Sequence, residues 1–245
     1  LSPHTTPARI LAQLLEGKVR LYRLTIPEGL NMDEIALLVQ QANLCDSEAF
    51  LALCKDAGFI KTLGVASHSL EGYLYPDTYF FPKQTTCRQV LQKMVATFHQ
   101  IYTPEWEKRT QELGFSVQQI VTLAAMIEKE TGDASERPLI SSVFHNRLKR
   151  NMRLESDPTV IYGDKTFDGR IRTRHLQRKT PYNTYQLRGL PLGPIANPGA
   201  LALKAALYPD TSPYLFFVSK NDTTHYFSKT LSEHNKAVKQ YQLTP

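Results

Sequence analysis

The stretch IVTLAAMIEKETGDASERPLISSVFHNRLKRNMRLESDPTVIYG, residues 120–163, constrains this chain more than any other. From Ile120 to Ile127 it is apolar on nearly every side of a helix, which requires burial inside a sizeable core. The run then ends in two acids, Glu128 and Glu130. A carboxylate at the end of a core helix costs free energy unless it is paired, and the negative end of the helix dipole makes ionisation costlier still. Such a group tends to keep its proton, and a protonated acid beside a cleft is what general-acid chemistry needs.

Helical geometry separates the two acids. Ser116, with Gln119 three residues later, forms a capping-box pattern, and Gly132 is placed to end the helix. At about 100° per residue, Val117, Ile120, Val121, Ala124 and Ile127 make the main core stripe, and Glu128 falls within it. Glu130 lies roughly 200° further round, beside Leu123. Glu128 therefore suits a buried structural ion pair, and Glu130 suits a cavity wall. A second helix is expected from about Ser135 through LISSVFHNRLKR, with Ile140, Val143, Phe144 and Leu148 inward. Asp157 precedes Pro158, where it either caps a short helix or serves the site.

The length of 245 residues and 42% hydrophobic content allow one large core or two smaller ones. No run approaches the roughly 18 apolar residues of a membrane span, and no signal-peptide pattern opens the chain. The net charge is +6, and Arg147 to Lys179 holds ten Lys or Arg against four Asp or Glu, so the whole excess sits there. That segment is either a solvated basic face or a surface for an anionic polymer; nucleic acid is not expected, because no recognised binding motif accompanies the charge. Cys45, Cys54 and Cys87 have no metal-type spacing, and a Cys45–Cys54 disulfide is one pairing their positions allow. The seven histidines are scattered without HExxH spacing, so no metal site and no cofactor are expected.

Along the rest of the chain, TTPARILAQLLE (residues 5–16) reads as an amphipathic helix, followed by a strand from Val19 to Ile26 and a turn at Pro27-Glu28-Gly29. Asn31 or Asp33 caps the next helix, and Ser47 starts another that ends at Gly58. LEGYLYPDTYFF, residues 70–81, is dense in aromatics and broken by Gly72 and Pro76, so its rings either fill core beneath a loop or line a carbohydrate cleft. Helices are expected from Cys87 to Tyr102 and from Pro104 to Leu113, and residues 163–180 read as an exposed loop or hairpin insertion. PYNTY (181–185) and GLPLGPIANPG (189–199) are held in fixed turns and can offer backbone groups to a ligand. A helix from Pro198, a hairpin of 214–219 with 225–228 and a final helix of 231–241 complete the reading. The class expected is α+β, with a mainly helical domain, short strands and a hairpin.

The stretches EGYLYPDTY (71–79), EKET with ASER (128–137), VFHNRL (143–148), RLESDPTVIYG (153–163), TPYNTY (180–185), GLPLGPIANPGA (189–200) and HNKAV (234–238) together resemble the YceG-like family of endolytic murein transglycosylases. Before residue 70 only TIPEGL is similar, and the order strand, PEG turn, helix, short helix resembles a LysM-type glycan-binding unit as well as it does a generic α+β subdomain. The resemblance implies a partial LysM-like subdomain at 1–68 and a catalytic domain at 69–245 with the basic insertion at about 163–180. It also implies a membrane helix ahead of Leu1, so that the catalytic domain sits on the periplasmic side of the inner membrane.

The implied reaction cuts peptidoglycan glycan strands internally between N-acetylmuramic acid and N-acetylglucosamine, leaving 1,6-anhydro-muramyl ends. The muramyl 6-hydroxyl attacks the anomeric carbon, so one carboxyl can serve as acid and then as base. The second acid of EKET, Glu130, carries that role by the resemblance. Glu128, Asp157, Tyr182, Asn183 and Thr184 are the implied substrate-binding residues, and peptidoglycan synthases are implied partners. Two rivals remain: a module that binds glycan without cutting it, and a true hydrolase.

Overall fold

The computed structural model describes residues 21–242. The expected helix of residues 5–16 and the first residues of the expected strand from Val19 lie outside them. Strand β1 (Leu21–Thr25) pairs antiparallel with β2 (Thr78–Pro82), Leu21 opposite Pro82 and Thr25 opposite Thr78. Between them run three helices: α1 (Met32–Gln41), α2 (Ser47–Cys54) and α3 (Ala57–Thr62). Asn31 caps α1 in a full capping box with Glu34, and α2 starts at Ser47 as expected, with Asp46 as its cap. The helix expected to continue to Gly58 stops at Cys54, because Asp56 caps a separate helix at the Phe59 N–H and leaves Gly58 inside α3. Strand pairing thus joins chain from both sides of residue 68.

Of the aromatics at 70–81, Tyr73, Tyr75, Tyr79 and Phe81 are buried core, and Phe80 faces outward. Gly72 must be glycine: its φ is +87°, and a Cβ there would meet Val121 and Pro194 side chains at 2.6 Å. The Cys45–Cys54 pairing that the positions allowed does not form: Cys45 bonds Cys87, with Cα atoms 5.4 Å apart, and Cys54 is a buried free thiol. The cause is topological: closing β1 against β2 returns the chain to the α1–α2 loop, while Cys54 points into the core from α2.

Helices α4 (Cys87–Ile101) and α5 (Pro104–Glu112) lead to the central α6 (Val117–Glu130), which Ser116 and Gln119 start as a capping box. Every residue of α6 from Ile120 to Ile127 is buried, and α6 packs most extensively against α10 (Ala200–Leu207). Gly132 does not end it; Thr131, in extended conformation, already leaves the helix. Helix α7 (Arg137–Lys149) follows, starting two residues later than expected, then the short α8 (Asp157–Ile161). The insertion is neither bare loop nor hairpin, since it contains a helical turn, α9 (Thr173–Gln177). Helix α10 is preceded by Gly199 at its N-cap rather than started by Pro198. A hairpin of β3 (Phe216–Ser219) and β4 (His225–Ser228) and a last helix, α11 (Leu231–Gln242), complete the α+β arrangement. One apolar cluster runs from Leu24 in β1 to Leu207 in α10.

Candidate active site

The two acids of α6 part as their helix positions require. Glu128 meets Arg137 of α7 at 2.6 Å and accepts the Gly199 N–H at 2.9 Å, so it ties α6 to the starts of α7 and α10. Burial lifts its carboxyl above the ordinary range, and the Gly199 N–H and Arg137 offset part of that rise. Glu130, in the last helical turn, opens instead on a cleft of about 940 Å³. The walls of that cleft come from the 153–157 segment, Tyr185, the β3–β4 hairpin and α11. Burial pushes the Glu130 carboxyl up to about 7, the neighbouring Asp157 adds to the rise, and a hydrogen bond from Ser156 and the charge of Arg147 oppose it. The Ser156 hydroxyl donates to Glu130 Oε1 at 2.5 Å.

Ser156 is held from behind. Its backbone N–H donates to Thr184 Oγ1 at 2.9 Å, and the Glu155 N–H donates to the Thr184 carbonyl at 3.2 Å. Thr159 Oγ1 lies 2.8 Å from the same Thr184 hydroxyl. Glu155 is a non-glycine residue at φ 52°, a left-handed conformation that surrounding bonds must enforce. Arg147 supplies several of them. Its side chain is buried and donates to the carbonyls of Arg153, Leu154 and Leu215 and to Glu155 Oε2 at 2.6–3.2 Å, joining α7, the 153–155 segment and the residue that precedes β3.

Of the residues expected to touch substrate, Glu130 and Asp157 line this cleft; Glu128, Tyr182, Asn183 and Thr184 do not. Asp157 is also not the cap of α8: Ser156 holds the N-cap position, and the Asp157 carboxylate accepts the Tyr185 hydroxyl at 2.6 Å. Asn183 and Thr184 are fully buried. Asn183 Nδ2 donates to the carbonyls of His175, Leu176 and Arg178, which folds the basic insertion back on itself, and its Oδ1 accepts the Tyr185 N–H. Tyr182 packs its ring against Tyr162, 4.6 Å between centroids. The 180s segment therefore reaches the cleft through Tyr185, which sequence reasoning missed along with Ser156, Arg147 and His225. The motif TPYNTY carried the signal for Tyr185, but nothing in a linear sequence says which of its polar residues turns inward. Among the described residues no group of three or more His, Cys, Asp or Glu is placed to hold a metal ion.

Taken together, these features define an α+β protein in which Glu130, a carboxyl raised to about 7 at the exit of the core helix, faces a polar cleft. The chain belongs to the YceG-like family, whose model matches residues 1–240. It is 34% identical over 234 residues to the endolytic murein transglycosylase of Bacillus subtilis, covering 90% of this chain and 65% of that one. It is 30% identical over 246 residues to the endolytic murein transglycosylase of Streptococcus pneumoniae, covering 89% and 44%. The chain thus spans less than two thirds of the length of these relatives. A 2.6 Å crystal structure of a yceG-like protein from Listeria monocytogenes matches with a TM-score of 0.80 and 36% identity, over 96% of this chain and 82% of that one.

Proposed function

We infer that this chain is the catalytic part of an endolytic peptidoglycan lytic transglycosylase, with Glu130 as its general acid and then its base. One observation carries the reading: Glu130 is the carboxyl that combines a proton held to about 7 with an open face on a large cleft. The protonated acid donates to the glycosidic oxygen as the bond to the muramyl anomeric carbon breaks. The resulting carboxylate takes the proton of the muramyl 6-hydroxyl as that oxygen closes on C1, and the acid is restored. No water is consumed, which distinguishes the reaction from glycoside hydrolysis by two carboxylates. Asp157, held by Tyr185 beside Glu130, is placed to stabilise the positive charge that develops at C1.

The family and the named relatives support the substrate class, and the Cys45–Cys87 bond supports an extracytoplasmic compartment, where disulfides persist. No helix among the described residues is long and apolar enough to cross a membrane; the inner-membrane anchor and location are read from the family resemblance alone. The β1–α1–α2–α3–β2 unit is read as a LysM-like glycan-binding element, and peptidoglycan synthases as partners. Incubation with uncrosslinked glycan strands and mass spectrometry of the products test the reaction. Anhydro-muramyl ends are expected, and Glu130→Gln is expected to lower the rate by roughly 10²–10⁴-fold. Reducing muramyl ends would make the enzyme a hydrolase, and an unchanged rate in the variant would remove Glu130 from the chemistry.

A further inference from the structure

His225, at the start of β4, lines the same cleft as Glu130 but belongs to the opposite end of the sequence. Its imidazole is fixed from two sides. Nδ1 lies 2.7 Å from Glu136 Oε2, while the His225 backbone N–H donates to Glu136 Oε1 at 2.9 Å, so one carboxylate grips both the ring and the strand. The Phe217 ring stands edge-on to the imidazole, with centroids 5.4 Å apart at 88°. Glu136 occupies the N-cap position of α7 yet makes no side-chain cap bond there, so its carboxylate is committed to His225. A carboxylate on Nδ1 sets the tautomer and leaves Nε2 as the free nitrogen. Nε2 has no hydrogen-bond partner among the described residues, and the side chain is 10% exposed, all that a cleft wall requires.

We propose that His225 is a substrate-contacting residue: its Nε2 hydrogen-bonds a polar group of the bound glycan on the hairpin wall of the cleft, and Glu136 positions the ring for that contact. The inference rests on the reading that this cleft takes glycan strands. With Nδ1 turned to Glu136, Nε2 is the nitrogen left to hydrogen-bond a sugar hydroxyl; no proton or covalent transfer is required of it. The hairpin thereby becomes a recognition element, and the Glu136–His225 pair joins the α7 start to the substrate.

The test exploits the geometry of amide substitutes. Asparagine at 225 places its polar end near the Nδ1 position and can keep the Glu136 contact, whereas glutamine places its polar end near Nε2 and can keep the cleft contact. Each change is made in the full chain carrying Glu130→Gln, and binding of uncrosslinked glycan strands is measured without turnover. His225→Asn is expected to weaken binding about five- to tenfold, the worth of one hydrogen bond, while His225→Gln stays within about twofold. Equal binding by His225→Asn and its parent, or losses that follow thermal stability in both variants, would overturn the contact. If the parent binds strands but the unmutated chain does not cut them, the reaction is lost while this comparison still decides His225. If the parent binds none, the cleft reading falls and this inference falls with it.

Discussion

Glu71 and Glu130 are both pushed up to about 7 by burial, yet they sit in opposite kinds of place. Glu71, 2% exposed, is closed on every side: the Met32 N–H reaches both its oxygens at 3.1 Å, Asn197 Nδ2 donates at 2.9 Å and the Tyr162 hydroxyl at 2.7 Å. Among the described residues Glu130 has one side-chain donor, Ser156, and a cleft in front of it. The difference teaches that a shifted carboxyl does not by itself mark a reacting group. Structural acids shift too, and what singles out Glu130 is an unfilled acceptor facing space that a substrate can enter. Glu128, two residues away, makes the same point from the other side, since Arg137 and the Gly199 N–H consume its oxygens.

The largest effect is expected at the closed site. Asn197 spends all four of its side-chain bonding positions there: Nδ2 donates to Leu30 O and Glu71 Oε1, and Oδ1 accepts the Gly72 and Leu74 N–H groups. Asn197→Ala leaves two backbone N–H groups and a carboxyl short of partners in a buried junction, and should cost roughly 3–4 kcal/mol in urea unfolding. Cleavage per folded molecule should stay near the unmutated rate. A folded variant that has lost its activity would break the division between a structural and a reacting acid.

A smaller effect of defined sign is expected at the open site. Burial raises the Glu130 pKa from the ordinary 4.5 to about 7, so its stabilising share is complete below about 4.5 and is lost as pH rises to 7. Over that window the unfolded chain sheds a proton that the folded chain keeps, and folding becomes less favourable. Glu130→Gln removes the titration. Measured against the unmutated chain, it should gain roughly 1–3 kcal/mol more at pH 8 than at pH 4, a figure reduced for the carboxyl's contact with the cleft. A difference that does not change with pH would mean that Glu130 ionises in the fold as an ordinary surface acid does.

Local chemistry made part of this legible in the sequence. The apolar run with Ser116 and Gln119 set the core helix, and its angular spacing separated Glu128 from Glu130, because both follow from the periodicity of one element. Contacts between distant segments were not legible. Cys45 finds Cys87 across 42 positions because two strands pair, and Glu136 finds His225 across 89 because the hairpin folds onto the start of α7. Asn183 and Thr184, named through the TPYNTY motif, are buried for a further physical reason. A Pro- and Gly-rich turn reads as a surface offering polar groups to ligand, yet its own buried backbone needs partners first, and these two side chains supply them.

The smallest expected effect sharpens the comparison most, because it acts on the side-chain donor that Glu130 has among the described residues. The Ser156 hydroxyl favours the ionised carboxylate and so holds the Glu130 pKa below where burial alone would set it. Ser156→Ala removes that bond, and the carboxyl's pKa should move further up. The descending limb of the pH–rate profile, which marks loss of the general acid's proton, should move to higher pH by the same step. Below that limb the acid is protonated in both proteins, so the rate there should change only modestly. The hydroxyl lies in a backbone segment already fixed by Thr184 and Arg147, so its loss should leave the segment in place. A limb that moves to lower pH, or stays where it is while the rate collapses, would show that Ser156 acts on the substrate rather than on the acid.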